Sequence, residues 1–386
     1  MGVLIVAGAG FAAYHALGRG LPRTAPAMAA PATATAAAAA AAKPPASKNG
    51  LPLASFSPSN PPQAWPGPLP YPILIADSNN NRIIEVTPDK RIVWQYPTAA
   101  TTAESKSYGT TGDDSFFTPD GTHIVTNDEE KGTIIRINFY TGQVDWHFGV
   151  PGQLGGGSTH LNYPDDAYLL PNGNTIAADI RNCREVTISP DAQMISSWGK
   201  PQTGYCQTDP SKGLFGYPNG DTPQSNGDIL VSFISGDRIA LLSPTGQVIW
   251  NVPAPDLYGG YVSDAQLMPN GDVLVAGYGK PGMVVEFNPQ TGKVDWQYRV
   301  TSGNGELDHP SLALPLPNGN ILLNDDANNR VIVIDPKTNQ IVWQYGTTGV
   351  AGTSAGLLNW PDGVDVDMYH DWLHFLPATT SSATSN

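Results

Sequence analysis

The chain repeats itself, and the repeat carries a tryptophan. Trp94, Trp146, Trp250, Trp296 and Trp343 each follow a turn by two or three residues, in Ile-Val-Trp, Val-Asp-Trp or Val-Ile-Trp contexts. In the third copy Ser196 takes that place and Trp198 lies two residues on, which in a strand is the same face. Successive copies are 46 to 52 residues apart. Upstream of the tryptophan, Asp165–Gly173 aligns with Ser263–Gly271 and with Asp308–Leu312 leading to Pro317-Asn318-Gly319. Each is a strand ending in a Pro-Asn-Gly turn, where Asn-Gly accepts the positive φ that tight hairpins need and proline presets the entry. A second strand follows (175–178, 272–275, 320–323), then a third after a polar loop (330–334), then the tryptophan strand (340–345). Four strands per period, repeated so strictly, define a β-propeller and not a row of sandwiches.

Counting strands closes the ring. The first copy, Ile73 to Tyr96, has second, third and fourth strands and no first. The stretch Leu358–Asp367 matches Leu161–Tyr168 and supplies a first strand with nothing after it. Residues 362–367 are therefore predicted to join the first blade, which gives an all-β, six-bladed propeller over residues 71–367 with no open sheet edge. An open solenoid would leave that last strand unpartnered.

Composition agrees. Glycine (41) and proline (36) make up about a fifth of 386 residues and only 14% are charged, too few for the charged faces of a helical bundle or coiled coil. The net charge of −14 excludes a nucleic-acid partner, because no basic field exists to neutralise phosphates. The N-terminus is a different polymer. Residues 1–21 hold a mostly apolar run, Val3 to Leu17, too short for an ordinary bilayer span but suited to an export signal or an uncleaved anchor. Residues 22–70 read as an Ala/Pro-rich tether and residues 368–386 as a surface tail. An exported, extracellular, periplasmic or membrane-attached monomeric propeller is expected, with membrane contact only through the N-terminal segment.

Several residue types could carry chemistry. Asp113, Asp114, Asp165, Asp166, Asp264, Asp308 and Asp362 fall at first-strand entrances, with Asp221 less clearly placed in the fourth blade. First-strand entrances and second-to-third-strand loops share one face, so these carboxylates ring one mouth of the channel. They suit a hard cation such as Ca²⁺ or a cationic ligand, or else they accept backbone N–H groups from turns. Arg82, Arg184, Arg238 and Arg330 recur at third-strand starts, as salt-bridge partners of aspartates or as an anion-binding ring. His309 departs from the repeat, since the alignment sets it against Ser115, Ala167, Ala265 and Gly363; His160, in a Gly-rich loop, could approach the same mouth. His370 and His374 lie past the closing strand, as part of a surface appendage. Cys183 and Cys206 fall in loops on one face, as a disulfide or as two separate thiols.

Residues 76–84 (Ala-Asp-Ser-Asn-Asn-Asn-Arg-Ile-Ile) and 324–332 resemble NHL repeats, while Thr141–Trp146 and Thr291–Trp296 are similar to the tryptophan docking motif of quinoprotein (PQQ)-like repeats. The Pro-Asn-Gly-Asn-Ile-Leu stretch after His309 resembles arylsulfotransferase-type propellers. The resemblance covers about residues 71–367 and implies the propeller fold. PQQ-dependent dehydrogenases of this kind are eight-bladed with adjacent cysteines at the cofactor; six blades and no Cys-Cys pair argue against bound quinone. The reading is a ligand- or protein-binding module acting through its acidic loop face. Asp114, Asp166, Asp264, Asp308, Arg82 and Arg330 are its expected ligand contacts. The rival is an arylsulfotransferase-like or metal-dependent lactonase-like enzyme, with His309, His160 and nearby aspartates as acid–base or ligand groups.

Overall fold

The computed structural model describes residues 51–52, 56–109 and 112–376. It is a ring of six four-stranded antiparallel sheets. Blade three shows the plan: Pro164–Leu169 innermost, then Thr175–Asp179, Arg184–Ile188 and Met194–Trp198 outermost. The inner strands of blades two, four, five and six are Ser115–Phe117, Pro218–Pro223, Tyr261–Leu267 and Ala313–Pro315. The expected closure is present: Pro361–Val366 pairs antiparallel with Ile73–Asp77, setting Val366 against Ile73 and Val364 against Ile75.

The repeated tryptophans hold blade to blade. The indole N–H of Trp94 donates to Phe139 O (2.8 Å) and that of Trp146 to Pro190 O (3.1 Å), each in the next blade. Trp296 reaches Asn339 Oδ1 (2.8 Å), and Trp343 of blade six reaches Pro88 O of blade one (2.9 Å), across the point where the chain closes. Trp198 covers Gly246, where any side chain would collide with the indole. Trp94, Trp146, Trp296 and Trp343 therefore pack an apolar face between sheets and satisfy their one donor there. The cores between blades are filled by β-branched and aromatic side chains, such as Ile73, Ile84, Val331, Val333 and Tyr345 at the closing seam.

The recurrent arginines are brackets. In blades one, three and six the second strand ends in a fully buried aspartate, Asp77, Asp179 or Asp325. Each takes the Nε–H of the arginine that opens the third strand: Arg82 (2.6 Å), Arg184 (2.7 Å) and Arg330 (2.7 Å). Each also takes a side-chain amide from the intervening turn, Asn80, Asn182 or Asn328. A buried charge needs both a counter-charge and hydrogen bonds, and this arrangement supplies them. In blade four Arg238 instead donates to Asn251 Oδ1.

Both ends of the ring lie on the face opposite the strand entrances. Pro68 O accepts the amides of Asn318 and Asn320 in a first-to-second-strand hairpin, and Leu69 is fully buried. The last part of the segment expected to be tether is thus packed against the propeller. The other end differs from expectation too. Tyr369 covers Gly121, and His370 is buried, stacked on Phe139 at 4.1 Å with Nδ1 at 2.9 Å from Asp367. His370 is therefore an internal strut between the tail and blade two, not a surface group; His374 is exposed and bonded to Asp371. The expected signal or anchor (1–21), most of the tether and residues 377–386 lie outside the described residues.

Candidate functional site

Inner strands of four blades break register where they begin, between Pro164 and Ala167, Pro218 and Asp221, Val262 and Ala265, and opposite Ile75/Asp77 in the closing strand. A bulge adds a residue without a partner and re-aims its neighbours. In these four blades it turns two consecutive residues toward the channel, and Asp113-Asp114 and Ser311-Leu312 line the same cavity just ahead of the inner strands of blades two and six. Taking blades one to six in order, the first of the pair is Asp362, Asp113, Asp165, Asn219, Ser263 and Ser311. The second is Gly363, Asp114, Asp166, Gly220, Asp264 and Leu312. All ten of these residues that carry a side chain line one cavity at the channel mouth. Glu129, Ile180 and Ile234, each just past the end of a second strand, and Tyr278, the last residue of one, form the collar above them, together with Tyr261.

The two glycines are required by the carboxylates beside them. A Cβ on Gly220 would overlap Asp264 Oδ2, and one on Gly363 would overlap Asp114 Oδ1. Polar side chains fix the strand entrances from behind. Asn127 accepts from Asp114 N (3.2 Å) and donates to Pro164 O (2.9 Å). Ser232 accepts from Gly220 N (2.9 Å) and donates to Ser263 O. Asn324 accepts from Leu312 N (2.8 Å) and donates to Asp362 O. Each of these three ties the strand entrance of its own blade to the next blade.

Charge in the cavity is one-sided. The first layer is Asp, Asp, Asp across blades one to three and Asn, Ser, Ser across blades four to six. Among the described residues no Lys, Arg or His lines the cavity. Burial, then the repulsion of neighbouring carboxylates, pushes Asp113, Asp114, Asp165 and Asp166 well above the ordinary range. Glu129 is raised in the same way, partly offset by Arg181. Burial alone takes Asp264 to about 7. Asp114 lies within hydrogen-bonding reach of both Asp165 and Asp166, so protons or a cation must be shared among them.

Of the residues singled out from sequence, Asp113, Asp114, Asp165, Asp166, Asp264 and Asp362 meet in this cavity. Asp308, His309, His160, Arg82 and Arg330 do not line it. His309 is not an irregularity in the repeat, as the sequence alignment had suggested. By sheet register it occupies the slot of Tyr163, Tyr217 and Trp360, and all four precede proline with φ between +52° and +59°. Its Nδ1 lies 2.6 Å from Asp308 Oδ1, Asp308 Oδ2 lies 2.6 Å from Lys280, and its ring meets Tyr278 edge-on at 4.7 Å. Although burial alone would raise it, the Asp308 carboxyl is held below its usual value by His309 and Lys280. His160 bonds Thr159 at 3.0 Å on blade three, across the ring from blade six. Arg82 and Arg330 are occupied by aspartates and loop carbonyls. Cys183 and Cys206 are joined in a disulfide with Cα atoms 5.6 Å apart. Glu129 and Tyr278 escaped the sequence reading; the acidic run Asp128-Glu129-Glu130 in a second-to-third-strand loop was the available signal for the first.

Fold and cavity together define a six-bladed propeller with a buried acidic mouth. Residues 222–361 match the PQQ_2 family, described as outer membrane protein assembly factor BamB. No curated protein matches the chain. Among solved structures, a protein of unknown function from Bacteroides caccae superposes with a TM-score of 0.54 at 18% identity, covering 76% of this chain and 98% of its own. A streptogramin B lyase gives 0.44 at 17% identity, covering 61% and 68%. Virginiamycin B lyase from Staphylococcus aureus gives 0.42 at 13%, covering 60% and 72%. At these identities the likeness is one of fold. The quinone that such repeats bring to mind does not fit the cavity: pyrroloquinoline quinone is a tricarboxylate, and these walls are carboxylates with no cationic side chain among them.

Proposed function

We propose that the chain is an exported or membrane-tethered binding module, non-catalytic, that takes a positively charged ligand in the acidic mouth of its channel. The observation that carries this is the broken symmetry of the first layer. Aspartates that served only the blade fold would recur around the ring, yet they occupy three adjacent blades and give way to Asn219, Ser263 and Ser311 in the others. Grouping like charges in a buried space is costly unless a cation or protons compensate it. The Cys183–Cys206 disulfide supports an oxidising, extracytoplasmic setting.

An arylsulfotransferase-like or lactonase-like reading would draw on His309, but that ring stands against Tyr278 and outside the cavity walls, so the reading gains no support from it.

The test is thermal melting and calorimetry of the full chain with Ca²⁺, Mg²⁺, spermidine and an anionic control at neutral pH. A cation should raise the melting temperature, and the combined variant Asp113→Asn, Asp165→Asn, Asp362→Asn should lose that rise. No cation effect in the parent chain, or an undiminished one in the variant, overturns the proposal.

A further inference from the structure

Resting on that reading and narrowing it, we propose that Asp113, Asp114 and Asp165 form a site for one hard divalent cation of the Ca²⁺ class. One carboxylate oxygen from each lies within 4.8 Å of the other two. Oxygens on opposite sides of a Ca²⁺ ion, bound at about 2.3–2.6 Å, stand roughly 4.6–5.2 Å apart, so a set of this width closes around one ion. Three carboxylates with no competing side-chain cation on the walls favour Ca²⁺ over Mg²⁺, which keeps most of its water and seldom takes an all-protein cage.

A second observation points the same way and does not depend on the acidic cluster. The hydroxyl of Tyr278, a residue 2% exposed that lines the cavity, has no hydrogen-bond partner. Buried polar groups are almost always paired, and those that are not mark a missing ligand or water. The waters of a partly hydrated cation would accept from the Tyr278 hydroxyl. Gly363 leaves the space in which Asp114 reaches the site. Asp362 of the closing strand also lies within hydrogen-bonding reach of Asp113. The ion would thus sit at the junction of blades one, two and three, beside the strand that closes the ring.

Terbium(III), which occupies Ca²⁺ sites and emits when nearby aromatic rings are excited, reads this directly, because Tyr261 and Tyr278 share the cavity. The full chain should give sensitised Tb³⁺ emission that Ca²⁺ competes away. The Asp113→Asn, Asp165→Asn variant should lose at least about tenfold in Tb³⁺ affinity while keeping its near-ultraviolet circular dichroism. The variant Asp295→Asn, altered on an outer strand, should bind as the parent does. Absent emission, or emission unchanged in the double variant, overturns the metal site. If spermidine still stabilises the parent chain in that case, the metal site falls alone; if spermidine fails too, the cationic-ligand reading falls with it.

Discussion

Gly363 of the closing strand and Asp114 of blade two share one small volume. A methyl group on Gly363 would stand 2.7 Å from the Cα of Asp114 and overlap its carboxylate. Gly363→Ala should therefore lower stability by about 1–3 kcal/mol through overpacking, and should also weaken cation binding by moving Asp114. Urea unfolding gives the first number and calorimetry the second. Unchanged values for both would mean that blade two yields without cost.

Acidity should stabilise the fold. Burial lifts the Glu185 carboxyl from 4.5 to about 8, with Asp221 as its immediate neighbour. Between those two values the folded chain holds a proton that the unfolded chain has lost, so stability falls as pH rises through that window and levels off above it. The loss amounts to a few kcal/mol at most, at 1.36 kcal/mol per pH unit. Melting temperatures from pH 5 to 8.5 in a metal-free buffer should decline, and Glu185→Gln should flatten the curve. A variant with the parent's slope would assign the effect to other groups.

The three arginine brackets should rank by burial. Arg330 and Asp325 are both 0% exposed, whereas Arg82 and Arg184 are 11% and 13% exposed. Removing one partner of a fully buried pair leaves an uncompensated charge, so Arg330→Ala should cost about 3–5 kcal/mol, with Arg82→Ala and Arg184→Ala costing less. Arg330→Lys should rescue little, because a single ammonium cannot reach Asp325, Asn304 O and Glu306 O together. Equal losses at all three positions would show that burial is not the controlling variable.

Ending the chain after Trp360 tests the closure. Without Pro361–Val366 the strand Ile73–Asp77 presents a row of unpaired backbone groups, a template for association. The truncated chain should scatter light in a concentration-dependent way, and a peptide spanning residues 361–376 should restore a cooperative melt. A truncated chain that melts cooperatively as a monomer would mean that the indole contacts alone hold the ring.

The architecture was legible because the information is local and repeated: a Pro-Asn-Gly turn, a tryptophan after the next turn, and a leftover strand at the end. The three aspartates of the mouth named for ligand binding, Asp114, Asp166 and Asp264, were legible because first-strand entrances share a face. Two things were not. Matching Asp308-His309 to Asp166-Ala167 by residue type set His309 against Ala167, whereas counting back from the Pro-Asn-Gly turn, as the sheet does, sets it against Tyr163. Tyr278 carries no polar pattern in the sequence and reaches the cavity as the last residue of its strand. An aspartate matched by residue type does not carry strand register, and side-chain alternation alone does not specify which strand end reaches a shared channel.

The chain enters and leaves the ring on the side away from the carboxylates. Pro68 is held by a hairpin of blade six and Tyr369 lies over one of blade two. A support, a fused reporter or a lipid layer attached through either end would therefore meet the blunt side of the disc and leave the charged opening turned outward, free to sample the surrounding fluid.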